Sequence, residues 1–254
     1  MILDFEGKKV LVTGASRGIG RAVAEAFAGR GGSVAVNFRD NEKSAIETLD
    51  ALDGGGHVLV QADVSTPGGA RSAVEASVSG LNGLDIVVNN AGIYRDHPVA
   101  SVGFDEWCSA WQKTIDTNLK GPANICYFAA RHMMEGAGGR IINVSSRAAF
   151  RGELKGPAYA ASKAGLNALS QSLAIALAPH NIFVGVVAPG FVETDMAKDI
   201  LASPAGDAIR AQSPLGRVAR PDEVANAVLF LASDGAEFTT GTIIDINGAS
   251  YLRS

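Results

Sequence analysis

Tyr159 and Lys163 stand four residues apart in the segment Tyr159-Ala160-Ala161-Ser162-Lys163. On a helix, residues at i and i+4 share a face, so the phenol and the ammonium would be neighbours. A free tyrosine has a pKa of about 10 and exchanges protons poorly at neutral pH. A cation beside it favours the phenolate and lowers that value. Such a pair can pass a proton to or from a substrate oxygen, help worth roughly 10²–10⁴-fold in rate. A solvated helix pair at the same spacing is common, so the reading depends on what surrounds it.

Three other polar clusters supply those surroundings. Ser145 and Ser146 close the apolar run Ile141-Ile142-Asn143-Val144, Asn89-Asn90-Ala91-Gly92 follows a second run, and Pro189-Gly190 follows a third. A fourth cluster, Thr13-Gly14-Ala15-Ser16-Arg17-Gly18-Ile19-Gly20, follows the first β-branched run and opens an Ala-rich stretch. Glycines there allow a tight turn and close approach to a pyrophosphate. The free N–H groups of the following helix point its positive end at that anion. The spacing is G-x-x-x-G-x-G, and its place between a strand and a helix at the start of a βαβ unit is the context that gives it meaning.

The elements that must position these residues alternate. Short apolar runs at Lys9–Thr13, Ser33–Phe38, His57–Gln61, Asp85–Asn89, Arg140–Ser145, Ile182–Ala188 and Thr242–Ile246 read as strands covered on both faces. Between them, Gly18–Arg30, Asn41–Leu52, Gly69–Ser79, Phe104–Glu135, Ala158–Ala178 and Pro221–Ala232 read as helices. This order predicts an α/β chain, 1–254, as one domain: a doubly wound parallel seven-stranded sheet with helices on both faces, the Rossmann arrangement. Ligands in such a sheet bind beyond the carboxyl ends of the strands, which is where all four clusters fall. Residues 198–220, with three prolines in or next to them, read as a flap or short helical insert. Asn118 lies inside a long helix candidate, where asparagine is intrinsically unfavourable, and so marks a functional kink.

Composition narrows the function classes. The 254 residues are 47% hydrophobic and 19% charged, enough apolar material for a large core. The net charge of −4 and sequence pI of about 5.6 give no reason to expect nucleic acid or an anionic membrane as a partner. Cys108 and Cys126 form no metal or redox motif, and neither a signal-peptide pattern nor a membrane-length apolar stretch is present, so a cytoplasmic protein without a metal is expected.

The cofactor follows from the second strand. Enzymes using NAD tend to place an acid at its end, for the ribose 2′-hydroxyl. Asn37 stands there instead, and Arg39 and Arg17 could reach a 2′-phosphate by charge-assisted pairing. NADP is therefore preferred, while Asp40 keeps NAD possible.

In order and over almost the whole chain, TGASRGIG at 13–20, Asp63 after the third strand, NNAG at 89–92, Asn118, the serine pair, YAASK at 159–163 and PGFVET at 189–194 resemble the short-chain dehydrogenase/reductase family, in its short single-domain branch. The resemblance implies hydride transfer between a nicotinamide dinucleotide and a carbonyl or secondary alcohol. It implies that Tyr159 donates the proton, and that Lys163 lowers its pKa and binds the nicotinamide ribose. Asn118 would hold a water linking Lys163 to solvent. In the family the serine commonly sits thirteen residues before the tyrosine, which selects Ser146 over Ser145 to bond the substrate oxygen. Gly14, Ser16, Arg17, Gly18, Ile19 and Gly20 would hold the pyrophosphate side of the cofactor, Asp63 and Val64 the adenine, and Asn90, with Ala91 and Gly92, the ribose region. Pro189, Gly190, Val192 and Thr194 would lie along the nicotinamide, Thr194 and Val192 holding its carboxamide.

Members resembling this chain include β-ketoacyl-acyl-carrier-protein reductases and glucose-dehydrogenase-like enzymes, so a β-ketoacyl thioester or a sugar or polyol is the expected substrate. A docking patch for an acidic carrier protein would draw on Arg131, Arg147 and Arg151. A dinucleotide-binding regulator without turnover is the alternative of a different class, and the intact Asn118, Ser146, Tyr159 and Lys163 speak against it. The stretch between Gly92 and Asn118 is longer than in many relatives, with Trp107 an extra aromatic one turn before Trp111; core or subunit packing is its expected role. The resemblance also implies a homotetramer or homodimer, and Ile246-Asn247-Gly248-Ala249 replaces the Asp-Gly-Gly frequent at the end of the last strand.

Overall fold

The computed structural model describes residues 3–253. Seven parallel strands form one sheet: β1 (Lys9–Val12), β2 (Ser33–Phe38), β3 (Val58–Gln61), β4 (Ile86–Asn89), β5 (Gly139–Val144), β6 (Ile182–Pro189) and β7 (Ile243–Ile246). They lie in the order β3-β2-β1-β4-β5-β6-β7. The chain winds outward from β1 in one direction, then returns to β1 and winds the other way from β4. The carboxyl ends of β1 and β4 therefore flank the point where connections diverge and a crevice opens.

Alternate residues of each strand enter different cores, which is why the strands are continuously apolar. Val10, Val12, Val34 and Val36 point to one layer, beneath α1 (Gly18–Ala28) and α10 (Pro221–Ala232). Leu11, Ala35, Val87 and Ile141 point to the other, beneath α3 (Pro67–Leu81), α5 (Gly121–Met134) and α7 (Pro157–Leu177). The remaining helices are α2 (Glu42–Asp50), α4 (Phe104–Ile115), the short α6 (Ala148–Arg151), α8 (Asp195–Ala202) and α9 (Ala205–Arg210).

The long helix expected over Phe104–Glu135 runs without interruption from Phe104 to Met134, as α4, a π turn and α5. A π turn, Asp116–Lys120, separates α4 from α5 and contains Asn118, so the disfavoured asparagine does mark a break in regular helix. The irregular region 198–220 contains the end of α8 and all of α9. Beneath the β4 and β5 ends runs a buried polar ladder. Asn89 donates to Asn143 Oδ1 at 2.8 Å and to Cys126 Sγ at 3.4 Å, and Asn143 donates to Ser170 Oγ at 2.8 Å. These bonds tie α5 and α7 to the sheet directly behind the crevice.

Candidate active site

The glycine loop forms where β1 hands the chain to α1. Gly14 and Gly18 take φ of +62° and +58°, a region open to glycine at little cost. A Cβ on Gly20 would run into the Gly14 carbonyl oxygen and lie 2.5 Å from Asn90 Nδ2. Arg17, the N-cap of α1, makes no side-chain cap bond, and the first turn holds no acid. The first N–H groups of α1 and the positive end of its dipole are thus left for an external anion.

Thr13 and Asn90 lock this loop to the β4 end. Asn90 Nδ2 donates to the carbonyls of Thr13 (2.9 Å) and Gly14 (3.1 Å), while Thr13 Oγ1 accepts from the N–H groups of Asn90 (3.0 Å) and Ala91 (3.1 Å). Asn37 acts similarly from β2. Its Oδ1 accepts from Gly14 N (3.3 Å) and its Nδ2 donates to the carbonyls of Val60 and Ala62 at 3.1 and 3.2 Å. Both amides are occupied by the protein, so each shapes the cradle through the backbone it holds. Arg39 pairs with Asp40 at 2.6 Å, and Arg17 lies 3.8 Å from Asp195; all four side chains are more than half exposed. Asp63 is not the N-cap of α3, which is Thr66; its carboxylate accepts instead from the N–H and hydroxyl of Ser65. Val64 is buried beside it.

At the other end of the crevice, α7 presents Tyr159 and Lys163 from its first two turns. Lys163 Nζ donates to the Val144 carbonyl at 2.7 Å and sits 5.8 Å from the centre of the Tyr159 ring. Ser146 lies near enough to the Tyr159 phenol to pull its pKa down, while Ser145 turns away and donates to the Lys163 carbonyl at 3.3 Å. Burial pushes the Tyr159 phenol up more strongly than Ser146 pulls it down, and Glu153 adds a smaller upward push. Burial also brings Lys163 down to about 8. The expected lowering of Tyr159 by Lys163 is therefore not what this geometry gives: the ammonium is drawn to Val144, and desolvation governs both groups.

Asn118 lies behind this pair, fully buried. It accepts from Ile93 N at 2.8 Å and donates to Ile93 O at 2.9 Å and to Ser162 Oγ at 3.2 Å. Ser162 in turn donates to the Tyr159 carbonyl at 2.7 Å. A Cβ on Gly92 would stand 3.5 Å from Asn118 Oδ1 and 3.6 Å from Lys163 Nζ, so Gly92 passes close to both.

The last predicted segment folds over the loop. Pro189 pairs with Ile246, Gly190 donates to the Ile246 carbonyl at 3.0 Å, and Val192 bridges to Ala219. The Thr194 methyl lies 3.3 Å from the Cβ position of Gly18, which closes the crevice between the flap and α1. Ser16 and Ile19 complete the glycine turn between these groups.

One expectation fails on burial. Arg147 is 4% exposed, so it cannot belong to a docking surface. Its guanidinium donates to Ser250 Oγ (2.5 Å) and Gln212 Oε1 (2.6 Å) and lies over Phe191, beside a cavity of about 240 Å³ that Tyr159 does not line. Sequence reading assigned no individual role to Thr13 and Ser162, which lie inside the TGASRGIG and YAASK motifs, or to Tyr94 and His97, which lie in the loop 93–102 expected to shape the substrate pocket. The last two reach the reaction end from the loop after β4, and nothing in their spacing marks them.

Comparison with known proteins agrees with this geometry. A family model described as enoyl-(acyl carrier protein) reductase matches residues 14–249. The 3-oxoacyl-acyl-carrier-protein reductase FabG of Escherichia coli (strain K12) is 42% identical over 98% of this chain and 100% of the relative. That of Aquifex aeolicus is 37% identical over 99% of this chain and 100% of its own length. Among solved structures, a putative short-chain alcohol dehydrogenase from Sinorhizobium meliloti has a TM-score of 0.91 at 34% identity, covering 98% of both chains. A short chain dehydrogenase from Burkholderia cenocepacia in complex with NADP has a TM-score of 0.88 at 34% identity, covering 97% of this chain and 98% of the other. The chain belongs to the short-chain dehydrogenase/reductase family and is an oxidoreductase.

Proposed function

We propose that the protein reduces the keto group of a β-ketoacyl thioester with NADPH, its catalytic groups being Asn118, Ser146, Tyr159 and Lys163. The observation that carries this reading is the half-buried Tyr159 beside Ser146 and one helical turn before the buried Lys163, its phenol pushed up by burial. A phenol protonated at neutral pH can give its proton to a carbonyl oxygen during reduction. Similarity over the full length to 3-oxoacyl-acyl-carrier-protein reductases supports the substrate class.

The residues fit the dinucleotide: Gly14 and Gly20 sit where a Cβ would press on Ala91 and the Gly14 carbonyl, and the α1 terminus carries neither an acid nor a cap. When bound, the reduced nicotinamide supplies the hydride to the carbonyl carbon. Ser146 fixes the carbonyl oxygen, Tyr159 gives it a proton, Lys163 holds the nicotinamide ribose and Asn118 holds the water behind Lys163. Asp63, Val64, Asn90, Ala91 and Gly92 line the adenine and ribose side, and Pro189, Gly190, Val192 and Thr194 the nicotinamide side. Arg17 and Arg39 would donate to a 2′-phosphate, with the neutral Asn37 adding no repulsion.

The test is NADPH consumption across thioesters, simple ketones and sugars, repeated with Tyr159→Phe. Fastest turnover of a β-ketoacyl thioester, falling about 10²–10⁴-fold in the variant, is expected. Faster sugar oxidation with NAD, or tight NADPH binding without turnover of any carbonyl, would sink it. For the cofactor, Arg39→Ala raises the NADPH KM about tenfold and leaves the NADH KM unchanged; equal effects on both defeat the assignment.

Binding and catalysis are placed in one domain, 1–254, acting in the cytoplasm on a small-molecule substrate. Among the described residues no helix is long and apolar enough to cross a membrane. Self-association as a homotetramer or homodimer rests on the family resemblance, and Phe104, Tyr127, Ile175 and Phe238 are exposed apolar side chains that such contacts could cover. A monomer mass by light scattering would refute that.

A further inference from the structure

The first turn of α7 places Tyr159, yet it cannot cap itself. Its N-cap is Gly156, which has no side chain, and Pro157 has no N–H. The N–H groups of Tyr159 and Ala160 bond back to the Gly156 carbonyl at 3.0 and 3.2 Å. That leaves Ala158 N, the residue before Tyr159, as the donor without a partner in its own helix. His97 Nε2 accepts from it at 3.1 Å. Because Nε2 accepts, the ring proton lies on Nδ1, which donates to the Arg95 carbonyl at 2.9 Å. The backbone N–H of His97 donates to Lys155 O at 2.7 Å, just ahead of the N-cap.

The same loop holds the Tyr159 ring. Tyr94 meets it edge to face, with centres 5.3 Å apart. Tyr94 comes that close because residue 156 is glycine: a Cβ there would lie 2.6 Å from the Tyr94 ring. Behind His97, which is fully buried, stands Trp107 at 5.4 Å, and behind Trp107 stands Trp111 at 5.7 Å. Trp107 is thus a brace for the histidine.

We propose that His97 is a positioning residue for Tyr159: it caps α7 from the loop after β4, braced by Trp107, and so aims the phenol at the substrate oxygen. The inference rests on Tyr159 being the proton donor. It predicts a fall in kcat without weaker cofactor binding, because His97 touches the helix start and not the dinucleotide cradle. Displacements of about 1 Å at a reacting group cost up to roughly 100-fold in rate.

The experiment is steady-state kinetics with NADPH and a short β-ketoacyl thioester for His97→Leu, His97→Gln and Tyr159→Phe. His97→Leu removes the acceptor and should lower kcat about tenfold, with the NADPH KM within about twofold of wild type. His97→Gln offers an amide oxygen near the Nε2 position and should recover kcat to within about threefold of wild type. Equal losses in Leu and Gln, an effect on KM alone, or wild-type kcat in His97→Leu would overturn the proposal. Wild-type turnover in Tyr159→Phe would instead overturn the proton-donor reading. Should His97→Leu fail to fold, Trp107→Phe keeps the hydrogen bonds but shortens the brace; kcat should then fall about twofold to threefold at constant KM, and an unchanged kcat refutes the proposal.

Discussion

Lys163 carries its charge at a cost. Its ammonium is buried against the Val144 carbonyl, and its pKa falls from 10.5 to about 8. Below pH 8 the folded and unfolded chains both hold the proton, and the folded chain bears the desolvation. Between about 8 and 10.5 the folded chain binds fewer protons, so stability rises with pH across that window. Replacing Lys163 with methionine should therefore stabilise the protein at pH 7, by on the order of 2 kcal/mol in denaturant melts, while reducing turnover. A less stable variant would show that the ammonium is held by more than Val144. For the wild type, the rate of carbonyl reduction should decline above about pH 8 as Lys163 discharges; a flat profile to pH 10 would count against its role. The Tyr159–Lys163 pair and the Ser145-Ser146 strand end were legible in the sequence because their placement needs only one helix and one strand end, while the choice of Ser146 came from the family spacing. The direction of the Tyr159 shift was not, because it depends on how completely the crevice walls exclude water.

At the scale of elements, local backbone demands made the glycine turn readable: positive φ at Gly14 and Gly18 and a contact at Gly20 that no side chain permits. The π turn at Asn118 was readable for a similar reason, its amide being spent on Ile93 in place of helix-surface water. Contacts joining distant segments were not. His97 meets α7 across 61 residues, and Asn90 and Asn37 bind the glycine loop from other strands. A sequence shows their types without showing that their amides and ring nitrogens are already taken. One element remains strained. Ala249 sits at φ +59°, in the turn after β7. Ala249→Gly should raise stability by about 0.5–1 kcal/mol, relief of the left-handed penalty exceeding the entropy cost of glycine. A melting temperature equal to or below that of the wild type would mean that the turn tolerates its Cβ freely.

Across the whole molecule, the strand order puts the cofactor cradle at the β1 and β4 ends and the proton relay at β5 and α7, and the Asn89–Asn143–Ser170 ladder holds the two together from behind. Asn143→Val would leave Asn89 and Ser170 without that partner and should cost about 2–4 kcal/mol in chemical melts; a loss under 1 kcal/mol would show that the ladder relaxes onto other acceptors. The order and layers of the sheet were legible because strand periodicity and parallel crossovers leave few topologies, whereas the ladder was invisible because each member reads alone as a strand-end or helix polar residue. Its neighbour Cys126 gives the molecule a built-in clock. That thiol is buried against the Asn89 amide and pushed up to about 12, while Cys108 is exposed on α4. An alkylating reagent should label Cys108 within seconds and reach Cys126 only when α5 lifts from the sheet, so the slow phase measures how often the centre of the molecule opens, and the bound dinucleotide should lengthen it.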